Sequence, residues 1–120
     1  MFTFPGSVEV YISVPPMDMR CGFYRLAAAT QEVIGKDPQS GHLFVFFNKL
    51  RNRVKVLFWD RSGYCLYYKH LERGRFHFPN YLSKDTGSLR INVADFALIL
   101  DGIELYGAHR RERYSVPVKK

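Results

Sequence analysis

Along Val8–Ser13, Val8, Val10 and Ile12 alternate with Glu9, Tyr11 and Ser13. A period of two puts one set on a covered face, so the segment predicts a half-buried strand. Pro15 and Pro16 end it, because proline fixes φ and has no N–H for a ladder. The period then changes. Met19, Phe23, Leu26, Ala27, Val33 and Ile34 recur at three- and four-residue steps or multiples of them, which predicts a helix with one apolar stripe. Thr30 sits on that stripe, and its hydroxyl can bond back to a carbonyl one turn earlier. Asp18 is the expected N-cap and Gly35 the expected left-handed stop, with Pro38 beyond it. Gly22 falls in the first turns and costs about 1 kcal/mol against alanine there. Close packing against a strand is the expected reason for it, ahead of close approach of a ligand.

His42–Phe47 is almost wholly apolar, the pattern of a strand covered on both faces. Asn48–Arg53 is a polar, basic connector. Val54–Asp60 alternates again, with Val54, Val56 and Phe58 on one face and Lys55, Leu57 and Trp59 on the other. Asp60-Arg61-Ser62-Gly63 is a turn, with Gly63 expected to supply the positive φ, and Tyr64–His70 is the returning strand. Three antiparallel strands in a meander are the simplest arrangement. Both connectors, Asn48–Arg53 and Leu71–Arg75, then leave the same end of the sheet. Phe76-His77-Phe78 reads as a short strand closed by Pro79, Tyr81–Ser88 as a loop, and Leu89–Asn92 as another short strand. Asn92 is placed to cap a second helix, Val93–Asp101, with Asp95 in its first turn near the positive end of the dipole. The expected fold is α+β: a small antiparallel sheet of four or five strands packed with two helices, the first burying its Met19–Ile34 stripe on the sheet. The opposite face, or the loop ends, would then carry the basic residues. Residues 1–106 form the expected domain and residues 107–120 a basic, flexible tail.

Charge adds a second layer. The net charge is +7, and it is unevenly spread. Residues 1–48 carry −1, residues 49–77 carry +6, residues 78–108 carry −2 and residues 109–120 carry +4. Two positive blocks on a slightly acidic remainder have the form of a polyanion footprint. In the central block, Lys49, Arg51, Arg53 and Lys55 flank one strand junction. Lys69, His70, Arg73, Arg75 and His77 flank another, with Tyr64, Tyr67 and Tyr68 between. Cations neutralise phosphates and exposed tyrosines stack on unpaired bases. The strand-interior aromatics, including Phe58 and Trp59, are better explained as core.

Other chemistries have less support. Metal-bound carboxylates need two or three acids converging on a cation, and Asp18, Asp60 and Asp95 already have capping or turn roles. Cys65, His70 and His77 lack paired zinc-ligand spacing. No glycine loop cradles phosphate. Cys21 and Cys65 are expected as buried free thiols in a reducing compartment. No basic start precedes a long apolar run, so no secretory leader is expected, and the longest apolar runs, Leu43–Phe47 and Phe96–Leu100, are far too short to span a bilayer. The expected location is the cytoplasm, with no cofactor and no membrane partner.

Three stretches carry a resemblance. Asp18-Met19-Arg20-Cys21-Gly22-Phe23-Tyr24-Arg25-Leu26 resembles D-M-R-K-G-F-x-x-L, and Asp37-Pro38-Gln39-Ser40-Gly41-His42-Leu43-Phe44-Val45-Phe46 resembles D-P-x-S-G-H-L-F-V-F. Val54–Asp60, Gly63–Leu66 and Leu71–Phe76 resemble I-K-V-L-W-W-D, G-x-x-L and L-E-x-G-x-F. Together, from Val8 to Ile103, they are similar to the TnpB-type accessory protein, the second open reading frame, of the bacterial insertion-sequence sixty-six family. Cys21 stands where a basic residue is common, and Phe58 and Phe78 where tryptophan is common. The resemblance implies DNA transposition as the process, beside a separate transposase that holds the catalytic carboxylates.

The expectation is therefore a non-enzymatic accessory protein for transposition that binds DNA, with insertion-sequence ends as the expected target. The expected contacts are Lys49, Arg51, Arg53, Lys55, Arg73 and Arg75, assisted by Arg110, Arg111 and Arg113. The element's transposase and other accessory proteins are the further expected partners. The alternative is a protein-interaction subunit that docks on the transposase without touching DNA.

Overall fold

A computed structural model describes residues 7–77 and 87–102. Five strands form one sheet: β1 (Val10–Ser13), β2 (Leu43–Phe47), β3 (Arg53–Asp60), β4 (Gly63–His70) and β5 (Ser88–Ile91), in the order β4-β3-β2-β1-β5. The β2-β3-β4 meander is antiparallel, with Val45 opposite Val56 and Val56 opposite Tyr67. β5 runs antiparallel to β1, but β1 and β2 are parallel, with Val10 beside Leu43. The expected α+β fold with a small antiparallel sheet is found, and this one pair within it is parallel. A helix lies between β1 and β2 in the chain, and such a crossover is the connection parallel neighbours require.

That helix, α1 (Phe23–Ala29), continues as a π-helical turn through Thr30–Ile34. The buried Thr30 hydroxyl donates to Leu26 O at 2.8 Å, and the Gly35 and Lys36 N–H groups both donate to Thr30 O. Gly35 closes the turn at φ 79°, in the left-handed region that glycine enters without a Cβ penalty. The helix starts later than the stripe predicts. Asp18 is not its cap. Its carboxylate instead accepts from Arg20 N at 2.8 Å and from the Arg20 guanidinium, folding residues 18–20 into a turn of their own. Gly22 takes the N-cap position in extended conformation without a side-chain cap, and a Cβ there would meet nothing within 4 Å. The expected packing role for Gly22 is therefore absent.

The second helix, α2 (Val93–Leu100), begins as expected, with Asn92 Oδ1 accepting from Asp95 N at 2.7 Å. Both sheet faces are covered. On one, Leu26, Ala29 and Ile34 pack on Tyr11, Phe44, Phe46 and Leu57. On the other, Phe96, Ile99 and Leu100 pack on Val10, Val45, Val54 and Val56. Two covered faces explain the unbroken apolar run of β2, whose five residues are all buried. The expected contact cations Lys49, Arg51, Arg53, Arg73 and Arg75 are carried by strand ends and connectors, whereas the exposed Arg90 stands within β5.

The β3–β4 turn is two residues long. Its positive φ belongs to Arg61 (50°) and not to Gly63, which is already in β4 opposite Asp60. Phe76 lies outside any strand, but it is 1% exposed and packs on Phe47 with ring centroids 5.4 Å apart. Phe78, residues 79–86, Ile103 and residues 107–120, on which further expectations fall, lie outside the described residues.

Candidate nucleic-acid interface

The connector from β2 to β3 is held from within by two asparagines. Asn48 Oδ1 accepts from the N–H groups of Asn52 (3.0 Å) and Arg53 (2.9 Å), while Asn48 Nδ2 donates to Asn52 Oδ1 at 2.7 Å. Arg51 N donates to Asn48 O at 3.0 Å, and Arg51 sits at φ 58°. A left-handed non-glycine residue costs roughly 1–2 kcal/mol, so the side-chain bonds hold a loop that its backbone alone disfavours. Asparagine suits this task because its amide both accepts from and donates to nearby backbone and side chains.

The second connector is fastened to the first. Leu71 N donates to Asn52 O at 2.8 Å, and Phe76 N donates to Arg51 O at 2.7 Å. Glu72–Arg75 is therefore a loop whose two ends both return to Arg51-Asn52, with Phe76 as its buried anchor. Gly74 turns it at φ 77°. The expectation that the two connectors leave the same end of the sheet holds, and the connection is direct.

Among the expected contact residues, Lys49, Arg53, Arg73 and Arg75 are exposed and Arg51 is half-buried. Arg53 stands opposite His70 in the ladder, and its guanidinium donates to Tyr68 Oη at 3.3 Å. Tyr68 is 48% exposed. Lys55 belongs to a different class. It is 8% exposed, its Nζ donates to Cys21 O at 2.8 Å, and it lies 5.0 Å from the Tyr68 ring centroid. Its charge is directed inward, onto the segment leading to α1. Lys69 is also engaged, through Nζ to Leu100 O at 2.6 Å, near the C-terminus of α2, where a cation complements the dipole. Arg110, Arg111 and Arg113 lie outside the described residues.

The Asp18 carboxyl is held below the usual carboxylate range. Its hydrogen bonds to the Arg20 side chain and backbone hold its pKa down at about 2. Among the described residues, no three His, Cys, Asp or Glu side chains are grouped to hold a metal ion, and no helix is long and apolar enough to cross a membrane. Cys21 and Cys65 are free thiols, Cys21 buried and Cys65 half-buried.

Hydrophobic and charge patterning does not mark Asn48 and Asn52; their sequence signal is two asparagines four residues apart around a cationic turn, the spacing over which their amides meet.

The family profile described as IS66 Orf2 like protein matches residues 8–110. The chain belongs to this family. Two curated proteins of Sinorhizobium fredii (strain NBRC 101917 / NGR234) are similar to it. Uncharacterized protein y4hO is 41% identical over 98 residues, covering 82% of this chain and 83% of its own length. Uncharacterized protein y4jC is 33% identical over 113 residues, covering 94% and 90%. No solved structure matches. Membership ties the chain to an accessory role in insertion-sequence transposition.

Proposed function

We propose that this IS66 Orf2-like protein is a non-catalytic transposition factor that binds DNA through the rim formed by its two tied connectors. The observation that carries this reading is the pair of backbone bonds from Leu71 N to Asn52 O and from Phe76 N to Arg51 O, which bring the backbones bearing Lys49, Arg53, Arg73 and Arg75 to one end of the sheet. Cations carried on a braced backbone lose little loop entropy on meeting phosphate, which favours binding over a merely solvated surface. Arg51 contributes from within the rim, and the Arg110–Arg113 segment adds charge. Insertion-sequence ends are the target that family membership favours, and Lys55 acts as an internal brace.

Mobility shift with element-end DNA at two salt concentrations tests this. With about five phosphates neutralised, affinity falls roughly 500-fold over a fourfold rise in salt. No binding at low salt, or binding that ignores salt, rejects the reading.

A second reading is favoured by one observation. Tyr24 is 82% exposed and meets Tyr64 edge-to-face at 6.5 Å, and Tyr64 meets Trp59 at 5.0 Å. This aromatic row lies toward the β3–β4 turn, at the opposite end of those strands from the rim. Exposed aromatics of this kind anchor protein interfaces, so docking on the element's transposase is assigned to this end. Co-purification with the transposase after nuclease treatment, lost in Tyr24→Ala, is the expected result. Retention of the complex in Tyr24→Ala rejects it.

A further inference from the structure

Beside the rim lies a groove of roughly 490 Å³, between the segment Pro16–Met19 and the connector Asn48–Arg53. Its size is within the range of small-ligand clefts, about 300–1,000 Å³. Both walls are fixed. Met17 N donates to Phe47 O at 2.8 Å, which pins the first wall to the end of β2, and the Asn48–Asn52 bonds hold the second. Met17 and Met19 are half-buried in it, and Leu50 stands at the tip of the connector, 61% exposed. Lys49 and Arg53 are its exposed cations. The one lining carboxylate, Asp18, is engaged by Arg20 at 2.7 Å.

An exposed leucine alone is ordinary. This one is carried by a braced loop, between cations, at the lip of a groove with two thioethers inside. Phosphate contact along a duplex uses the cations and leaves the apolar lining idle. A ligand that uses both has a negative group joined to a flat apolar one, and an unstacked nucleotide has that form. Thioether sulfur and aliphatic carbon pack favourably on aromatic rings, and leucine and methionine side chains are known to enter between base steps and unstack them.

We propose that this groove receives an unpaired nucleotide of DNA, its base against Leu50, Met17 and Met19 and its phosphate on Lys49 and Arg53. The proposal rests on the rim binding DNA and names the form of DNA it selects.

The test is fluorescence anisotropy of the full chain with a single-stranded oligonucleotide and with the perfect duplex of the same sequence, at one salt concentration. Wild type is expected to favour the single strand by about tenfold. Leu50→Ala, a change at an exposed site, is expected to lose most of that preference while duplex affinity changes less than about twofold, and Leu50→Met restores it. Equal binding of both forms, or a preference that Leu50→Ala leaves intact, overturns the groove assignment. If Lys49→Ala or Arg53→Ala still weakens duplex binding in that case, the rim reading stands alone. If neither DNA binds at low salt, the rim reading falls, and the groove assignment with it.

Discussion

The backbone N–H of Leu71 donates to the carbonyl of Asn52 at 2.8 Å, and through that bond two stretches distant in the chain become one surface. Asn52 is itself held by Asn48. The order of dependence is therefore fixed: the asparagine pair shapes the first connector, the first connector receives the second, and both present cations.

Asn48→Ala removes the acceptor of two backbone N–H groups in a partly buried loop. The expected loss of stability is about 1–3 kcal/mol, the cost of leaving such groups unpaired. Urea denaturation should show a lower midpoint with an unchanged slope. DNA affinity should fall as well, because the rim loses its frame.

Lys55 is a cation turned inward, and the rim reading leaves it outside the DNA contact. Lys55→Met keeps most of the stem but removes the bond to Cys21 O and the contact with the Tyr68 ring. Stability should drop by about 1.5–3 kcal/mol, as for a hydrogen bond from a charged donor. The salt dependence of DNA binding should stay as in wild type. A shallower slope would return Lys55 to the interface.

Two glycines should respond in opposite directions. A Cβ at Gly87 would lie 2.5 Å from Val33 O, a backbone atom that cannot swing aside. Gly87→Ala should destabilise by about 1–3 kcal/mol, the usual cost of overpacking. Gly22→Ser adds a side-chain acceptor at an uncapped N-terminus, in open space and extended backbone. It should stabilise by about a few tenths of a kcal/mol, the usual gap between serine and glycine at a cap. Thermal melts of the two variants check both.

Asp18 should stay ionised unusually far into acid. Its folded pKa, about 2, lies below the usual value of 3.8. The stabilising contribution of a depressed carboxylate is complete above the unfolded pKa and is lost as pH falls through the folded one. The window for Asp18 is therefore from about pH 4 down to about pH 2. A carboxyl NMR titration should show the low midpoint in wild type and a return toward 3.8 in Arg20→Ala. An unchanged midpoint in the variant would contradict the assigned cause.

Much of this arrangement is legible in the sequence, for identifiable reasons. The β2 run, the alternation in β3 and the short turn after Asp60 determine the meander. Gly35 and Asn92 mark helix ends because few residues perform those roles. Periodicity shows which face a residue joins but not what covers that face. Lys55 alternates like an exposed cation, yet the Cys21 carbonyl on the approach to α1 receives its ammonium. Asp18 has the identity of a cap, but Arg20 two residues on is a stronger partner for its carboxylate. The parallel β1–β2 pair follows from the helix between them, and pattern alone does not give strand order. Arg61 bears the left-handed conformation because it is the residue enclosed by the bond from Ser62 N to Asp60 O, while Gly63 is already paired with Asp60 in the ladder.

The most direct test of the rim is the slope of log affinity against log salt for wild type and for Lys49→Ala, Arg53→Ala, Arg73→Ala and Arg75→Ala, singly and together. Each phosphate contact should add close to −0.9 to the slope, so each single change should flatten it by about one unit and the combined variant by three to four, on any DNA sequence. Wild-type slopes retained in all four variants, with Lys55→Met alone flattening the dependence, would contradict the rim as the DNA-binding surface.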